Sequence, residues 1–343
     1  MAAFLDRLWY GESPWQRWLA PASHLFARLV EFRRRAYREG LLKSRKANIP
    51  VVVVGNITVG GTGKTPVTLW LAERLKDLGS KPGIVSRGYG GHVGDVPVHV
   101  TEQSDPAAVG DEPLLMARRV VCPVAVHPDR FAAAELLAQM GCDVVIADDG
   151  LQHYGLARQF EIAVVDGRRG FGNGRLLPAG PLREPVDRLR TLDRIMLQAR
   201  TDERVEELSG GNPRVTRFTL TAGDVRSLHG ANERPLESFS GQAVHAIAGI
   251  GNPQGFFELL ETHGLSVIPH AFADHAVLSR QQLEFGDDRA VIMTEKDAVK
   301  CEAFAPANAW YLAVAVAIAA NQDLSWLGDL AGKLRSNPVE QEA

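Results

Sequence analysis

The chain has 343 residues, 45% of them hydrophobic, and a formal net charge of −3 at pH 7, so it can bury a sizeable core in one large or two ordinary domains. A pI near 6.4 gives no overall basic field and argues against non-specific nucleic-acid binding. Cys122, Cys142 and Cys301 are too few and too scattered for a disulfide framework or a metal site and read as reduced core thiols.

Residues 1–46 hold ten Arg/Lys against four Asp/Glu, a local charge of 10 − 4 = +6 that leaves −3 − 6 = −9 for the remainder. Arg7, Glu12, Pro14 and Arg17 interrupt any signal-peptide core there, and no apolar run anywhere approaches the roughly 18 residues of a membrane span. Ser13-Pro14-Trp15-Gln16 has the form of a capping box with proline at the first helical position. Beyond it, Trp15, Trp18, Leu19, Ala22, Leu25, Phe26, Leu29 and Val30 recur at helical spacing, with Arg28, Arg33, Arg34, Arg35 and Arg38 crowding the end of the stripe. Aromatic-plus-arginine composition suits a helix lying in a lipid interface. It suits equally a helix packed on its own domain, and the residues alone leave both readings open.

From residue 49 short β-branched runs alternate with helical stretches: 51–54, 83–86, 96–100, 120–126, 143–147, 162–165 and 195–198. Runs buried on both faces predict a mostly parallel sheet wrapped by helices, an α/β architecture. Residues 167–185, rich in Gly, Pro and Arg, read as a functional loop. The signal weakens over 200–240, where 214–221 alternates like an exposed strand and an interdomain connection is expected. A second, smaller α/β unit follows, with strands over 243–248, 290–294 and 310–318 and a helix from Pro253.

The strongest chemical signal is the run from Val51 to Pro66, a buried strand leading through Gly-Asn-Ile into Thr58-Val59-Gly60-Gly61-Thr62-Gly63-Lys64-Thr65 and then a helix. Glycines let backbone N–H groups point inward, the helix dipole favours anions, Lys64 reaches the β/γ-phosphates and Thr65 offers a hydroxyl to Mg²⁺. Thr58 stands where the strict pattern has its first glycine. A phosphate cradle needs acidic partners for its metal, and Asp148-Asp149 ends the apolar strand from Asp143 as a Walker-B element would. Gln152 and His153 follow at the same carboxyl edge of the sheet.

Asp111-Glu112 opens a helix, and one carboxylate could accept a hydroxyl proton while the other helps hold the metal, although a helix-capping role explains the pair equally well. Arg87-Gly88-Tyr89 follows a strand and offers a cation and an aromatic to a substrate headgroup. Arg130 and Arg183-Glu184 are similar candidates, each also readable as a surface ion pair. Spacing alone does not single out Asp274-His275. In Gly249-Ile250-Gly251, Gln254 replaces the third glycine of a dinucleotide fingerprint, which removes that reading.

The order of these motifs resembles the tetraacyldisaccharide 4′-kinases, the lipid A 4′-kinases of Gram-negative bacteria. The resemblance rests on the Val54-to-Pro66 run, Ser86-to-Gly90, Gly110-to-Pro113, Asp148-to-His153, Leu177-to-Pro185, Gly249-to-Pro253, Asp274-His275 and Thr294-Glu295-Lys296-Asp297. It implies ATP- and Mg²⁺-dependent phosphorylation of the 4′-hydroxyl of a tetraacyl disaccharide 1-phosphate. By that resemblance Asp111 and His275 form the activating dyad, and Thr65, Glu112 and Asp148 or Asp149 lie near the metal; Lys64 and Asp149 are further catalytic candidates. Arg87, Gly88, Tyr89, Arg130, Gln152, His153, Arg183 and Glu184 are the candidates from their own chemistry and position for contact with the lipid-linked substrate.

The resemblance also implies a P-loop core over 47–225, a smaller unit over 226–343 that brings Asp274-His275, and a helical segment over 1–46. That segment, chiefly residues 1–40, would seat the protein peripherally on the cytoplasmic face of the inner membrane, with no nucleic acid and no obligate protein partner. The rival reading is a membrane-associated nucleotide switch, since Gly-Gly-Thr-Gly-Lys-Thr also resembles deviant P-loops of partner-sorting ATPases. Val59 holds the place of their signature lysine and counts against it.

Overall fold

The computed structural model describes residues 2–199 and 204–336. Among them the strands are β1 (Val51–Gly55), β2 (Pro82–Ser86), β3 (Val98–Val100), β4 (Val124–Val126), β5 (Val144–Asp148), β6 (Phe160–Asp166), β7 (Arg194–Gln198), β8 (Val215–Ser227), β9 (Glu233–Arg234), β10 (Ala243–Ala248), β11 (Ser266–Ala271), β12 (Val291–Thr294) and β13 (Ala309–Ala317). The helices are α1 (Ala2–Tyr10), α2 (Trp15–Arg38), α3 (Lys64–Asp77), α4 (Pro106–Val109), α5 (Asp111–Arg119), α6 (Arg130–Gln139), α7 (Val205–Leu208), α8 (Pro253–Thr262), α9 (Arg280–Leu283), α10 (Glu295–Cys301) and α11 (Ser325–Ser336).

One continuous sheet runs in the order β11-β10-β12-β13-β8-β7-β6-β1-β5-β2-β4-β3, with β9 paired to β8 outside that path. Pairings are parallel except β3 with β4, β13 with β8 and β8 with β9. Alternation of side chains across the pleat explains why β1 reads as unbroken valine. Val52 and Val54 enter one core with Leu71, Leu114 and Ile146, whereas Val51 and Val53 enter the core on the other face with Leu137, Val145 and Leu197. Beyond β13 the sheet carries two further cores, one around Phe257, Leu260 and Trp310 and one around Leu278, Leu283 and Met293.

β8 joins the two regions. Its first residues pair in parallel with β7, and from Thr219 onward it pairs antiparallel with β13. The expected exposed strand over 214–221 is therefore the opening of a longer element inside the sheet, half-buried because it is paired on both sides. β11 is half-exposed at the sheet edge, and its lack of a clean apolar alternation hid it from sequence reading.

The amino-terminal helices pack on the 167–185 loop. Leu8 of α1 is buried, Trp9 Nε1 donates to Pro178 O at 3.1 Å, Asn173 N donates to Trp9 O at 2.9 Å, and Arg169 lies 4.0 Å from the Tyr10 ring centroid. The capping box expected at Ser13 is absent: Pro14 occupies the cap with no side-chain bond. Gln16 instead donates to the carbonyls of Leu8 and Gly11 at 2.7 and 2.8 Å, satisfying the end of α1 rather than the start of α2. Only Ser23 and Ala36 of α2 are buried, while Trp15, Trp18, Leu25, Leu29 and Phe32 form one exposed stripe. No helix among the described residues is long and apolar enough to cross a membrane.

Leu71 is fully buried between α3 and the sheet, so Leu71→Ala should lower unfolding free energy by about 2–5 kcal/mol, measured by urea denaturation.

Candidate active site

Buried polar groups shape the glycine-rich turn after β1. Asn56, fully buried, donates from Nδ2 to Gly60 O at 3.3 Å and Thr62 Oγ1 at 3.2 Å. Thr58 bridges Leu182, and Val59 N donates to Pro181 O at 2.8 Å. The start of the loop is thus pinned to the 167–185 segment. Gly60 and Gly63 take φ of 108° and 82°, left-handed values that glycine tolerates, and α3 begins at Lys64 directly after Gly63. This arrangement aims backbone N–H groups and a helix amino terminus at one point, as anion binding requires.

The carboxyl ends of neighbouring strands supply the charges. Asp148, at the end of β5, is buried and accepts from Thr68 Oγ1 at 2.9 Å. Burial, reinforced by the carboxylates of Glu112 and Asp149, pushes its pKa up to about 7. Asp149 has φ 46°, a left-handed conformation that costs a non-glycine residue of the order of 1–2 kcal/mol and is concentrated at functional sites. Burial would raise its pKa, but Lys64 and Arg183 outweigh that and hold it low. Lys64 Nζ lies 3.6 Å from Asp149 Oδ1. Arg183 Nη1 donates to both Asp149 oxygens at 3.2 and 3.1 Å and to Gln152 Oε1 at 3.2 Å. Gln152 in turn donates to Asn56 O at 2.9 Å.

Across the cleft, α5 opens after Gly110 with Asp111 and Glu112. Asp111 is 6% exposed; its Oδ1 accepts from Glu112 N at 2.9 Å and lies 3.2 Å from His275 Nδ1. That contact is off the line of a formed hydrogen bond, so it counts as a close charge contact. Burial opposes ionisation of Asp111, yet His275, Lys296 and Lys300 outweigh it and bring its pKa below the usual value. For His275 burial disfavours the charged form and the facing Asp111 carboxylate overcomes that, raising its pKa. His275 also has φ 59°, and Tyr89 meets its ring edge-on with centroids 4.7 Å apart.

Sequence reading took the start of α10 as part of the Thr294–Asp297 motif and gave its residues no role. Lys296 Nζ contacts Glu112 Oε1 at 2.7 Å, Asp274 Oδ1 at 2.8 Å and His275 Nε2 at 3.3 Å. Lys300 Nζ lies 2.8 Å from Asp297 Oδ1 and 3.8 Å from Asp111 Oδ2. Asp297, fully buried, accepts from Gly249 N at 2.8 Å. The available signal was the i, i+4 spacing of Lys296 and Lys300, which places two ammonium groups on one helical face toward the acidic start of α5.

Other candidates are placed differently. Arg130 is buried, donating from Nη2 to the carbonyls of Asp148 and Asp149 at 2.9 Å each, so it shapes the acidic turn from behind. Glu184 is also buried; it accepts from the Tyr154 hydroxyl and faces Arg188 Nε at 3.5 Å, turned away from the cleft. Arg87 and Tyr89 are exposed around Gly88, whose φ is 72°. His153 is half-buried with its pKa lowered to about 4 by burial and by Arg130, Arg158 and Arg33. Thr65 sits in the first turn of α3.

For magnesium, no cluster of three or more His, Cys, Asp or Glu stands ready to hold a metal ion among the described residues. That fits magnesium, which uses one or two carboxylates and completes its shell with phosphate and water. Asp148, a buried carboxylate whose charge is disfavoured, is the group a cation would stabilise.

The family model for tetraacyldisaccharide-1-P 4′-kinases matches residues 15–330. The tetraacyldisaccharide 4′-kinase of Alkalilimnicola ehrlichii is 52% identical over 298 residues, covering 86% of this chain and 87% of the relative. That of Nitrosococcus oceani is 46% identical over 339 residues, covering 97% and 96%. Among solved structures, an "apo" form of LpxK from Aquifex aeolicus in complex with ATP superposes with a TM-score of 0.74 at 29% identity, covering 94% of this chain and 99% of that one.

The Gly249–Gly251 turn, set aside above as a dinucleotide motif, touches the phosphate loop: a Cβ on Gly251 would meet Gly61 N at 2.2 Å. Gly251→Ala should therefore force the two loops apart and weaken ATP binding by about tenfold to a hundredfold, the equivalent of 1–3 kcal/mol of overpacking, in titration calorimetry.

Proposed function

The chain belongs to the tetraacyldisaccharide-1-P 4′-kinase family, and on that premise we propose how its residues share the work. It is an ATP-dependent kinase that phosphorylates the 4′-hydroxyl of a tetraacyl disaccharide 1-phosphate, the step to lipid IVA in lipid A synthesis. The observation that carries the site assignment is that Asp148 feels Lys64 and Asp149 beside the glycine-rich loop together with Glu112, the neighbour of Asp111 at the start of α5.

Thr58 and Val59 anchor the loop, Gly60 to Gly63 supply the amides that hold the polyphosphate, and Lys64, poised beside Asp149, neutralises its terminal oxygens. Asp148 and Thr65, with Glu112 nearby, would hold magnesium, whose charge would offset that of the phosphates. Asp111 accepts the proton of the 4′-hydroxyl as that oxygen bonds to the terminal phosphorus and the bond to ADP breaks. His275 holds Asp111 in place, and Arg183 with Gln152 keeps Asp149 oriented. Arg87, Gly88 and Tyr89 line the approach for the sugar. Of the residues expected at the substrate, Arg130 and Glu184 act through the backbone and side chains they position.

We read three working parts: 1–46 for membrane seating, 47–225 for nucleotide and metal, and 226–343 for delivering Asp274-His275. The protein attaches peripherally to the cytoplasmic face of the inner membrane. Supporting this are the exposed Trp15, Trp18, Leu25, Leu29 and Phe32 on α2, more contiguous apolar surface than a free helix face usually shows, flanked by arginines suited to anionic headgroups.

With radiolabelled ATP and tetraacyl disaccharide 1-phosphate, label should enter the extracted lipid, and chelation of magnesium should stop it. Asp111→Asn should lower kcat by about 10²- to 10⁴-fold with calorimetric ATP affinity retained; wild-type turnover would remove Asp111 from the mechanism. ATP hydrolysis without labelled lipid would favour the nucleotide switch.

Trp18→Asp combined with Leu29→Asp should reduce co-sedimentation with anionic vesicles by about tenfold or more. Unfolding free energy should stay within about 0.5 kcal/mol per substitution, as for other surface positions.

A further inference from the structure

Lys296 lies outside the phosphate loop, the acidic strand end and the Asp111–His275 pair, yet its ammonium is among the most enclosed charges in the cleft, with its side chain 11% exposed. An ammonium has three N–H donors and no acceptor. Lys296 Nζ faces three acceptors, Glu112 Oε1 at 2.7 Å, Asp274 Oδ1 at 2.8 Å and His275 Nε2 at 3.3 Å. The first belongs to α5, and the other two to the segment that follows β11.

The third contact decides a point of chemistry. A neutral imidazole carries its proton on one nitrogen and accepts at the other. Since Lys296 cannot accept, Nε2 of a neutral His275 must, and the proton resides on Nδ1, the nitrogen 3.2 Å from Asp111 Oδ1. Turning the ring over would replace both nitrogens with carbons at these contacts. The edge of Tyr89, with centroids 4.7 Å away, restrains the ring further.

We propose that Lys296 is a positioning residue that fixes His275 in its Nδ1–H tautomer through the Nε2 contact, so that His275 keeps its proton on the side facing Asp111 and cannot itself take the substrate's proton. This rests on the reading of Asp111 and His275 as the activating pair, and it divides their labour. With Nε2 engaged by Lys296, Asp111 is the group left to receive the hydroxyl proton. Its Oδ1 is occupied by Glu112 N and His275, and its Oδ2 faces the more distant Lys300 at 3.8 Å. The same ammonium ties α5 to α10, so the tautomer is set only when the two walls are together.

The test is long-range ¹H–¹⁵N correlation on protein labelled at histidine nitrogens, with the His275 signals identified by their loss in His275→Asn, at a pH where the ring is neutral. Wild-type protein should show His275 protonated at Nδ1 and bare at Nε2. Lys296→Met should shift the ring toward the Nε2–H form and lower kcat at least about tenfold, the scale on which a misplaced catalytic proton is felt, with KM for ATP changed less than about threefold. Lys296→Arg, again a donor without acceptor capacity, should restore the Nδ1–H form and part of kcat. A wild-type His275 bearing its proton on Nε2, or Lys296→Met with both the wild-type tautomer and wild-type kcat, overturns the proposal. The wild-type spectrum needs neither turnover nor a substituted protein that folds, and loss of lipid phosphorylation by wild-type protein would count against the kinase reading instead.

Discussion

Opposite charges held together in a space largely closed to water are the constraint on which this molecule depends. Asp148, Asp149, Asp111 and Glu112 converge at the carboxyl edge of the sheet, and a cluster of carboxylates out of water would protonate or push apart without partners. Lys64 and Arg183 stabilise Asp149; Lys296 and Lys300 do so for the start of α5. Around Asp148 burial and the carboxylates of Glu112 and Asp149 prevail over the charge of Lys64 and the hydroxyl of Thr68, and its pKa is raised. The site is electrically incomplete at the point where nucleotide and metal would complete it.

That arrangement explains why two regions of the sheet must meet closely. The phosphate loop lies against the Gly249–Gly251 turn with no room for a side chain, and Asp297 holds that turn from below through Gly249 N. The amino-terminal helices join the same assembly by another route. They rest on the 167–185 loop, whose far end pins the phosphate loop at Thr58 and Val59 and carries Arg183 to Asp149. α2 is thus linked to the charged site through the 167–185 segment and also through the contact of Tyr37 with Tyr154.

Legibility in the sequence followed the range of the interaction. The valines of β1, the glycine run, Asp148-Asp149 and the opening of α5 are local patterns, and each appears in the structure on the element expected. Arg130 and Glu184 also read as functional charges, but burial turned them to structural work behind the site. Gln16 matched a capping motif and instead serves the preceding helix, because the short turn after α1 brings the Leu8 and Gly11 carbonyls within its reach. β8 was mistaken for a connection since its two halves face different partners and its alternation is correspondingly blurred.

The order of motifs along the chain was enough to indicate a nucleotide-dependent kinase of an acylated disaccharide, because a phosphate cradle is built from consecutive residues whose backbone conformation is dictated by glycine. Tertiary structure alone decided which charges work together. Asp111 and His275 are 275 − 111 = 164 positions apart in the chain, and Lys296, which carried no assigned chemistry in sequence, comes to lie between Glu112, Asp274 and His275. Electrostatic pairing acts through space across a few ångströms and is blind to sequence separation, so these partnerships came into view only when α5 and α10 were brought face to face.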